Sequence, residues 1–181
     1  MIGLLNGLLP YGVLALEVAA LVLLLGLLLA RHSIWIAWVG ANAIVIAFLV
    51  TLGATLGSLF YSNIMGYEPC LLCWWQRIFM YPQVIILAVA LWIKRSHRYK
   101  QNDRENEVLF YTLPLSIIGG LIAIYQILLP YLASAGINCG TTGVSCTKLY
   151  VLAFGYITIP VMSLSVFVTL ILLAIASKCK N

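Results

Sequence analysis

Five apolar runs dominate the chain, at about residues 4–30, 34–60, 71–93, 108–133 and 151–176. Crossing a hydrocarbon layer of roughly 30 Å takes about 20 such residues, and each run is long enough. None shows the period-two alternation of barrel strands. Lipid cannot satisfy backbone polar groups, so each run predicts an α-helix. The predicted fold is an all-α integral membrane protein with five spans in one bundle. Composition agrees: the 181 residues are 64% hydrophobic and 8% charged, which excludes an ordinary soluble domain. The first run has no Lys or Arg ahead of it and no small-x-small pattern before Arg31. It is therefore read as a retained helix and not as a cleaved signal segment.

The formal charge of +5 changes the picture through its distribution. Arg31, Lys94, Arg95, Arg98, Lys100, Arg104, Lys178 and Lys180 fall on one side of the five-span topology, and only Arg77 and Lys148 on the other. The positive-inside rule makes the first side cytoplasmic, with the N-terminus outside and the C-terminus inside. The polar segment KRSHRYKQNDRENE is then an inner loop that fixes topology, and nothing in it signals nucleic-acid binding. Trp74 and Trp75 are expected at the outer interface and Trp92 at the inner one. Their separation of about 27 Å along a helix matches a bilayer.

That topology sorts the five cysteines. Cys70 and Cys73 close the outer loop before the third span, and Cys139 and Cys146 occupy the outer loop before the fifth. Cys179 alone is cytoplasmic and is read as a reduced bystander. Four thiols on an oxidising face fit two disulfides. The C-x-x-C spacing of the first pair serves redox exchange, but also metal binding and structural staples. The loop NCGTTGVSC encloses Gly140 and Gly143, and their pliability suits exchange between disulfides.

The stretch EPCLLCWWQRIFMYP sets the start of the third helix. Counted from Ile78 to Ile93 the span reaches only about 24 Å, whereas a start near Leu71 gives about 34 Å. The helix must therefore include Cys73 and Arg77, which together with Cys70 share one face. The helix N-terminus and the Arg77 guanidinium both favour thiolate there, and both would stabilise a reduced acceptor. An arginine at this depth is a functional candidate; headgroup snorkelling is the bland alternative. No G-x-G-x-x-G unit is present, and Trp74 after Cys73 rules out the C-x-x-C-H haem attachment. A quinone dissolved in the bilayer fits as acceptor without being required by the spacing.

At these residues the chain resembles the DsbB family of membrane disulfide oxidoreductases, and more closely its BdbC branch. The likeness rests on EPCLLCWWQR running into FMYP, on the paired Cys139 and Cys146, and on FGYITIP at the start of the last helix; it covers about residues 40–176. The resemblance implies a four-helix bundle at residues 34–181, preceded by an additional helix at 1–33. It implies a thiol oxidase that reoxidises a secreted, DsbA-like thioredoxin-fold partner and passes electrons to ubiquinone or menaquinone. By the same likeness, Cys139 is attacked by the partner, Cys146 exchanges with Cys70, and Cys73 faces the quinone ring beside Arg77. Glu68 and Gln76 receive no role. The family pattern is not matched in the fourth span, where Tyr125 and Gln126 stand near a position at which some members have a histidine.

The remaining features carry less. His32 and His97 fall in cytoplasmic segments, so no imidazole serves the outer cysteines. A four-cysteine zinc site, or plain structural disulfides, is then the leading non-enzyme alternative. Glu17 inside the first span is read as a packed acid, with proton handling as the other reading. Gly53-x-x-x-Gly57 and Gly119-Gly120 are expected to allow close helix packing. Pro82 is expected to bend the third span.

Overall fold

A computed structural model describes residues 2–29, 33–95, 104–132 and 150–179. Cys139, Cys146, Lys148, both histidines and most of the inner loop lie outside the described residues. Among the described residues there are six α-helices: α1 (Ile2–Leu29), α2 (Ile34–Ala41), α3 (Ala43–Leu59), α4 (Leu71–Arg95), α5 (Arg104–Leu132) and α6 (Ile159–Ala176). Five segments among the described residues are long and apolar enough to cross a membrane: Leu9–Leu29, Ala43–Ile64, Leu71–Lys94, Glu107–Tyr131 and Ile159–Ala176. The chain is an all-helical, multi-pass membrane protein, and among the described residues its only β feature is an isolated Ala153–Ile157 bridge.

Two predicted runs are shorter as helices than their apolar length implied. The run at 34–60 breaks at Asn42, whose side-chain amide donates to the Trp38 carbonyl at 2.9 Å. The Trp38 carbonyl also accepts from the Asn42 backbone amide at 3.1 Å, and α3 starts afresh with the Ile46 amide donating to the Asn42 carbonyl at 3.0 Å. Gly40 places α2 directly against the end of α6, where an added Cβ would lie 2.6 Å from the Ala176 carbonyl oxygen. The run at 151–176 becomes helical only at Ile159. FGYITIP therefore forms the turn before the last helix, with Phe154 at φ 52° and Gly155 at φ 79°. Thr158 is extended, and Pro160 in the first helical turn sets the start, where its missing N–H costs nothing.

The bundle is centred on α6, which packs on α5, α3 and α1, while α4 packs between α3 and α5. Phe167 of α6 is fully buried, and its ring fills the space beside Gly119 of α5 so closely that a Cβ there would overlap it. The expected close packing holds at this glycine. It does not hold at Gly53 and Gly57. A Cβ on Gly53 would meet nothing within 4 Å, and one on Gly57 would meet only Leu9 at 3.4 Å. Both glycines line a cavity instead. Trp74 and Trp92 are exposed at opposite ends of α4, as interfacial anchors should be. The helix continues through Pro82.

Glu17 has partners in the fold. Its carboxyl accepts from the Tyr156 hydroxyl at 2.8 Å and from the Ser165 hydroxyl at 2.9 Å. Tyr11 adds an edge-on contact with Phe154, at 5.2 Å between ring centroids. These contacts tie α1 to α6 and to the turn before it.

Two outcomes follow. Gly119→Ala is expected to destabilise the bundle by about 1–3 kcal/mol through overpacking, whereas Gly53→Ala is expected to change stability by no more than about 0.5 kcal/mol; unfolding in detergent measures both. The bond to Glu17 holds the Tyr156 phenol above its ordinary value of 10.0. A raised folded value means that the stabilisation is complete below pH 10 and is lost as pH climbs through that value. Ultraviolet titration of phenolate, wild type minus Tyr156→Phe, should show a raised midpoint that Glu17→Ala brings back down; an unmoved midpoint contradicts the tie.

Candidate functional site

The cysteine end of the bundle is organised by the start of α4. Gly66 turns the chain at φ 68°, and Pro69 disfavours helical backbone at Glu68 before it. The Cys70 carbonyl then accepts the first bond of the new helix from the Trp74 amide at 3.1 Å. Cys70 thus stands at the N-cap, where its sulfur accepts from the Cys73 amide at 3.4 Å. A side chain that accepts from the third amide of a helix is the usual capping arrangement, made here by sulfur in place of oxygen. The two sulfurs lie 3.0 Å apart, in contact and not bonded to one another. A small rotation closes that gap to the roughly 2.05 Å of a disulfide.

A chain of side-chain hydrogen bonds supports the pair from three helices. Ser163 of α6 donates to the Gln76 carbonyl oxygen at 2.7 Å, and the Gln76 amide donates to the Gln126 carbonyl oxygen of α5 at 2.8 Å. The Gln126 amide in turn donates to the sulfurs of Cys70 and Cys73, at 3.3 and 3.4 Å. All three polar side chains are buried. Seven residues below Gln76, Gln83 accepts from Ser116 of α5 at 3.1 Å. Two polar layers therefore fix α4 against α5, and the upper one ends on sulfur.

Arg77 lies one turn below Cys73 and is half-buried. Its guanidinium donates to the Ser58 carbonyl oxygen at 3.3 Å and stands 5.4 Å from the ring centroid of Trp74. Both partners are uncharged, so neither offsets its charge. Cys70, Cys73, Gln76, Arg77 and Gln126 line one cavity of about 970 Å³, with Glu68 at its wall. Most of the remaining lining is apolar and comes from α1, α3 and α6. A vicinal dithiol of this kind is a two-electron couple: closing it to a disulfide releases two electrons and two protons.

The structure thus brings Cys70, Cys73 and Arg77 together, as the helical spacing predicts. Tyr125 does not line the cavity and is exposed, whereas its neighbour Gln126 contacts the sulfurs. Sequence reading left Gln126, Ser163 and Ser58 without a part. A signal for the first was present: glutamines buried in otherwise apolar spans need partners, and each other is the nearest solution. Gln126→Leu strands the Gln76 amide and is expected to cost about 1–3 kcal/mol. The Gln76→Leu/Gln126→Leu double variant should recover part of that loss, as measured by unfolding in detergent and closed as a double-mutant cycle.

The family model described as "Disulfide bond formation protein DsbB" matches residues 40–177. A "Probable disulfide formation protein C 1" of Bacillus anthracis is 40% identical over 143 residues, which are 77% of this chain and 87% of that protein. A "Probable disulfide formation protein" of Chlamydia caviae is 41% identical over 142 residues, covering 77% and 94% of the two chains. The "SPbeta prophage-derived disulfide bond formation protein B" of Bacillus subtilis is 40% identical over 116 residues, covering 64% and 72%. No solved structure gives a significant match. With its dithiol at the mouth of a membrane-embedded cavity, the chain belongs to the DsbB family of disulfide bond formation proteins and is a protein-disulfide oxidoreductase.

Proposed function

We propose that the protein is a quinone-dependent thiol oxidase working on the outer face of a bacterial or archaeal plasma membrane, where it keeps a DsbA-like thioredoxin-fold protein oxidised. One observation carries the reading most directly: the Cys70–Cys73 pair opens into a largely apolar cavity between membrane helices, with Arg77 on its wall held by two uncharged partners, the Ser58 carbonyl and the Trp74 ring. An apolar cavity between membrane helices, with Arg77 as the basic side chain in its lining, suits an acceptor that dissolves in lipid and gains negative charge on reduction. Ubiquinone and menaquinone have that chemistry, and either accepts two electrons and two protons when bound. The clustering of Lys and Arg at the opposite end of the bundle supports an outward-facing sulfur site.

The roles follow from thiol–disulfide exchange. A partner thiolate attacks Cys139 of the Cys139–Cys146 disulfide and releases Cys146; the partner's second thiolate then displaces Cys139, and the partner leaves oxidised. The reduced outer pair passes its two electrons to the Cys70–Cys73 disulfide by the same exchange: Cys146 attacks Cys70 and releases Cys73, and Cys139 then attacks Cys146, releasing Cys70 and restoring the Cys139–Cys146 disulfide. Cys73 then faces the cavity, where the Gln126 amide donates to its sulfur and the positive end of α4 favours negative charge there. Arg77 orients the acceptor and balances its developing charge. Reoxidation of Cys70 and Cys73 to a disulfide returns the protein to its starting state. The two protons originate on the partner's thiols, so the sum is partner dithiol plus quinone to partner disulfide plus quinol.

The test is anaerobic mixing of purified protein, reduced thioredoxin-fold partner and a quinone analogue, with quinone absorbance followed in time. The intact protein is expected to turn over, and Cys73→Ser and Cys146→Ser are expected to stop it. Cys146→Ser should accumulate a mixed disulfide between Cys139 and the partner, visible on a non-reducing gel. Arg77→Ala should mainly raise the quinone KM. Normal quinone-coupled turnover by Cys73→Ser would refute the proposed order.

A further inference from the structure

Four aromatic rings lie against one another at the cysteine end of the bundle. Phe60 meets Tyr61 edge-on at 5.7 Å between centroids, and Tyr61 stacks on Tyr67 at 6.0 Å with the planes 9° apart. Tyr67 in turn stacks on Tyr150 at 4.9 Å and 21°. The base of this stack is fixed, because Tyr61 is 5% exposed and its carbonyl oxygen accepts from the Tyr67 amide at 3.0 Å. Tyr67 is therefore held by backbone and ring together, three residues ahead of Cys70. Tyr150 comes from a distant part of the chain, four residues after Cys146. Both tyrosines line the same cavity as Cys70 and Cys73.

Interfacial tyrosines usually present their rings to headgroups, as suits Tyr131 at the end of α5, which is 80% exposed. Tyr67 and Tyr150 are half-buried and face one another instead. Anchoring in the membrane does not account for that arrangement, whereas a contact between two chain segments does. The segments so joined lead to the two sulfur couples. With Tyr150 fixed against Tyr67, Cys146 lies within four residues of a held point, a reach of at most about 14 Å. Without the stack, the aromatic and hydrogen-bonded ties that follow in sequence are Phe154 on Tyr11 and Tyr156 on Glu17, eight and ten residues from Cys146. The effective concentration of a tethered group falls roughly as the −3/2 power of tether length, so that change dilutes Cys146 about three- to fourfold.

We infer that the Tyr67–Tyr150 stack positions the two cysteine pairs for exchange, by setting the reach of Cys146 to Cys70. The inference rests on the exchange order proposed above. In that step the Cys146 thiolate forms a bond to the Cys70 sulfur, the Cys70–Cys73 bond breaks, and Cys73 leaves with the electron pair as thiolate. Tyr67 and Tyr150 are positioning residues: each acts through the segment it holds, by its ring and not by its hydroxyl.

The test is a glutathione redox titration of the full-length protein in detergent, carrying Cys73→Ser, Cys139→Ser and Cys179→Ser so that Cys70 and Cys146 are the remaining thiols. The ratio of bridged to open protein, counted by mass spectrometry after alkylation, gives the effective concentration of one thiol at the other. Tyr150→Ala is expected to lower it about three- to fourfold, with Tyr67→Ala as its counterpart should the first fail to fold. Tyr150→Phe, which keeps the ring, is expected to retain the unaltered value. In a Cys139→Ser/Cys146→Ser/Cys179→Ser protein, the same alanine change is expected to leave the Cys70–Cys73 equilibrium unmoved, because the first turn of α4 holds that pair. A fall of less than twofold in a folded alanine variant overturns the inference, and so does a phenylalanine variant as low as the alanine one. An equal fall at Cys70–Cys73 also overturns it, since that marks a general loosening of the fold. If no Cys70–Cys146 bond forms with both tyrosines in place, the exchange order itself fails and takes the role of the stack with it. No quinone enters the titration, so failure of quinone reduction leaves its result unchanged.

Discussion

The Cys73 amide donating to the Cys70 sulfur is the contact on which the cysteine end depends. It makes the first cysteine the cap of a membrane helix and places the second one turn inside it. Two thiols that far apart in sequence would wander relative to one another in a loop. Here the first turn of α4 holds them at 3.0 Å, and the partial positive charge of that helix end falls on sulfur without any dedicated base. Because α4 starts at this point, its length reaches across the bilayer, and Arg77 is carried below the surface onto the same cavity wall. Chemistry and membrane fit are set by one helix boundary.

Polar groups in such a setting have to account for themselves. The Ser163–Gln76–Gln126 chain gives every amide a partner and terminates on the two sulfurs, so a network that looks costly in an apolar bundle is satisfied. It also ties α4, α5 and α6 at the level where the sulfurs must stay in register. The second layer at Gln83 and Ser116 repeats the tie one heptad lower. Rigid support on this side contrasts with the opposite wall, where α1 and α3 stand apart around glycines that touch almost nothing. The site is thus firm behind the sulfurs and open in front of them.

Much of this was legible from residues alone. Run lengths gave the five spans, and a span too short without Leu71 forced Cys73 and Arg77 into one helix. What escaped has physical reasons. Hydropathy sees Val151 and Leu152 as a span's beginning, but the left-handed backbone at Phe154 and Gly155 keeps them outside the helix. Asn42 is one of four polar residues in a long apolar run, with Thr51, Thr55 and Ser58, and the structure alone shows that the helix breaks there and continues through the others. The glycine pair of α3 has the spacing of a packing motif; whether a neighbour approaches is decided by where α1 is pinned, and that depends on Glu17 finding Tyr156 some 139 residues away. Gln126 likewise finds sulfur across 56 residues of sequence, a distance no local pattern encodes.

The central claim is that the sulfur pair at the head of α4 is an electron donor to a lipid-soluble acceptor. Its most direct measurement needs no partner protein: the Cys139→Ser/Cys146→Ser variant, with Cys70 and Cys73 fully reduced, is mixed without oxygen with one equivalent of quinone, and lost thiols and formed quinol are counted. The account predicts one quinol for every two thiols consumed, ending in a Cys70–Cys73 disulfide. Thiols that remain intact beside unreduced quinone would contradict it.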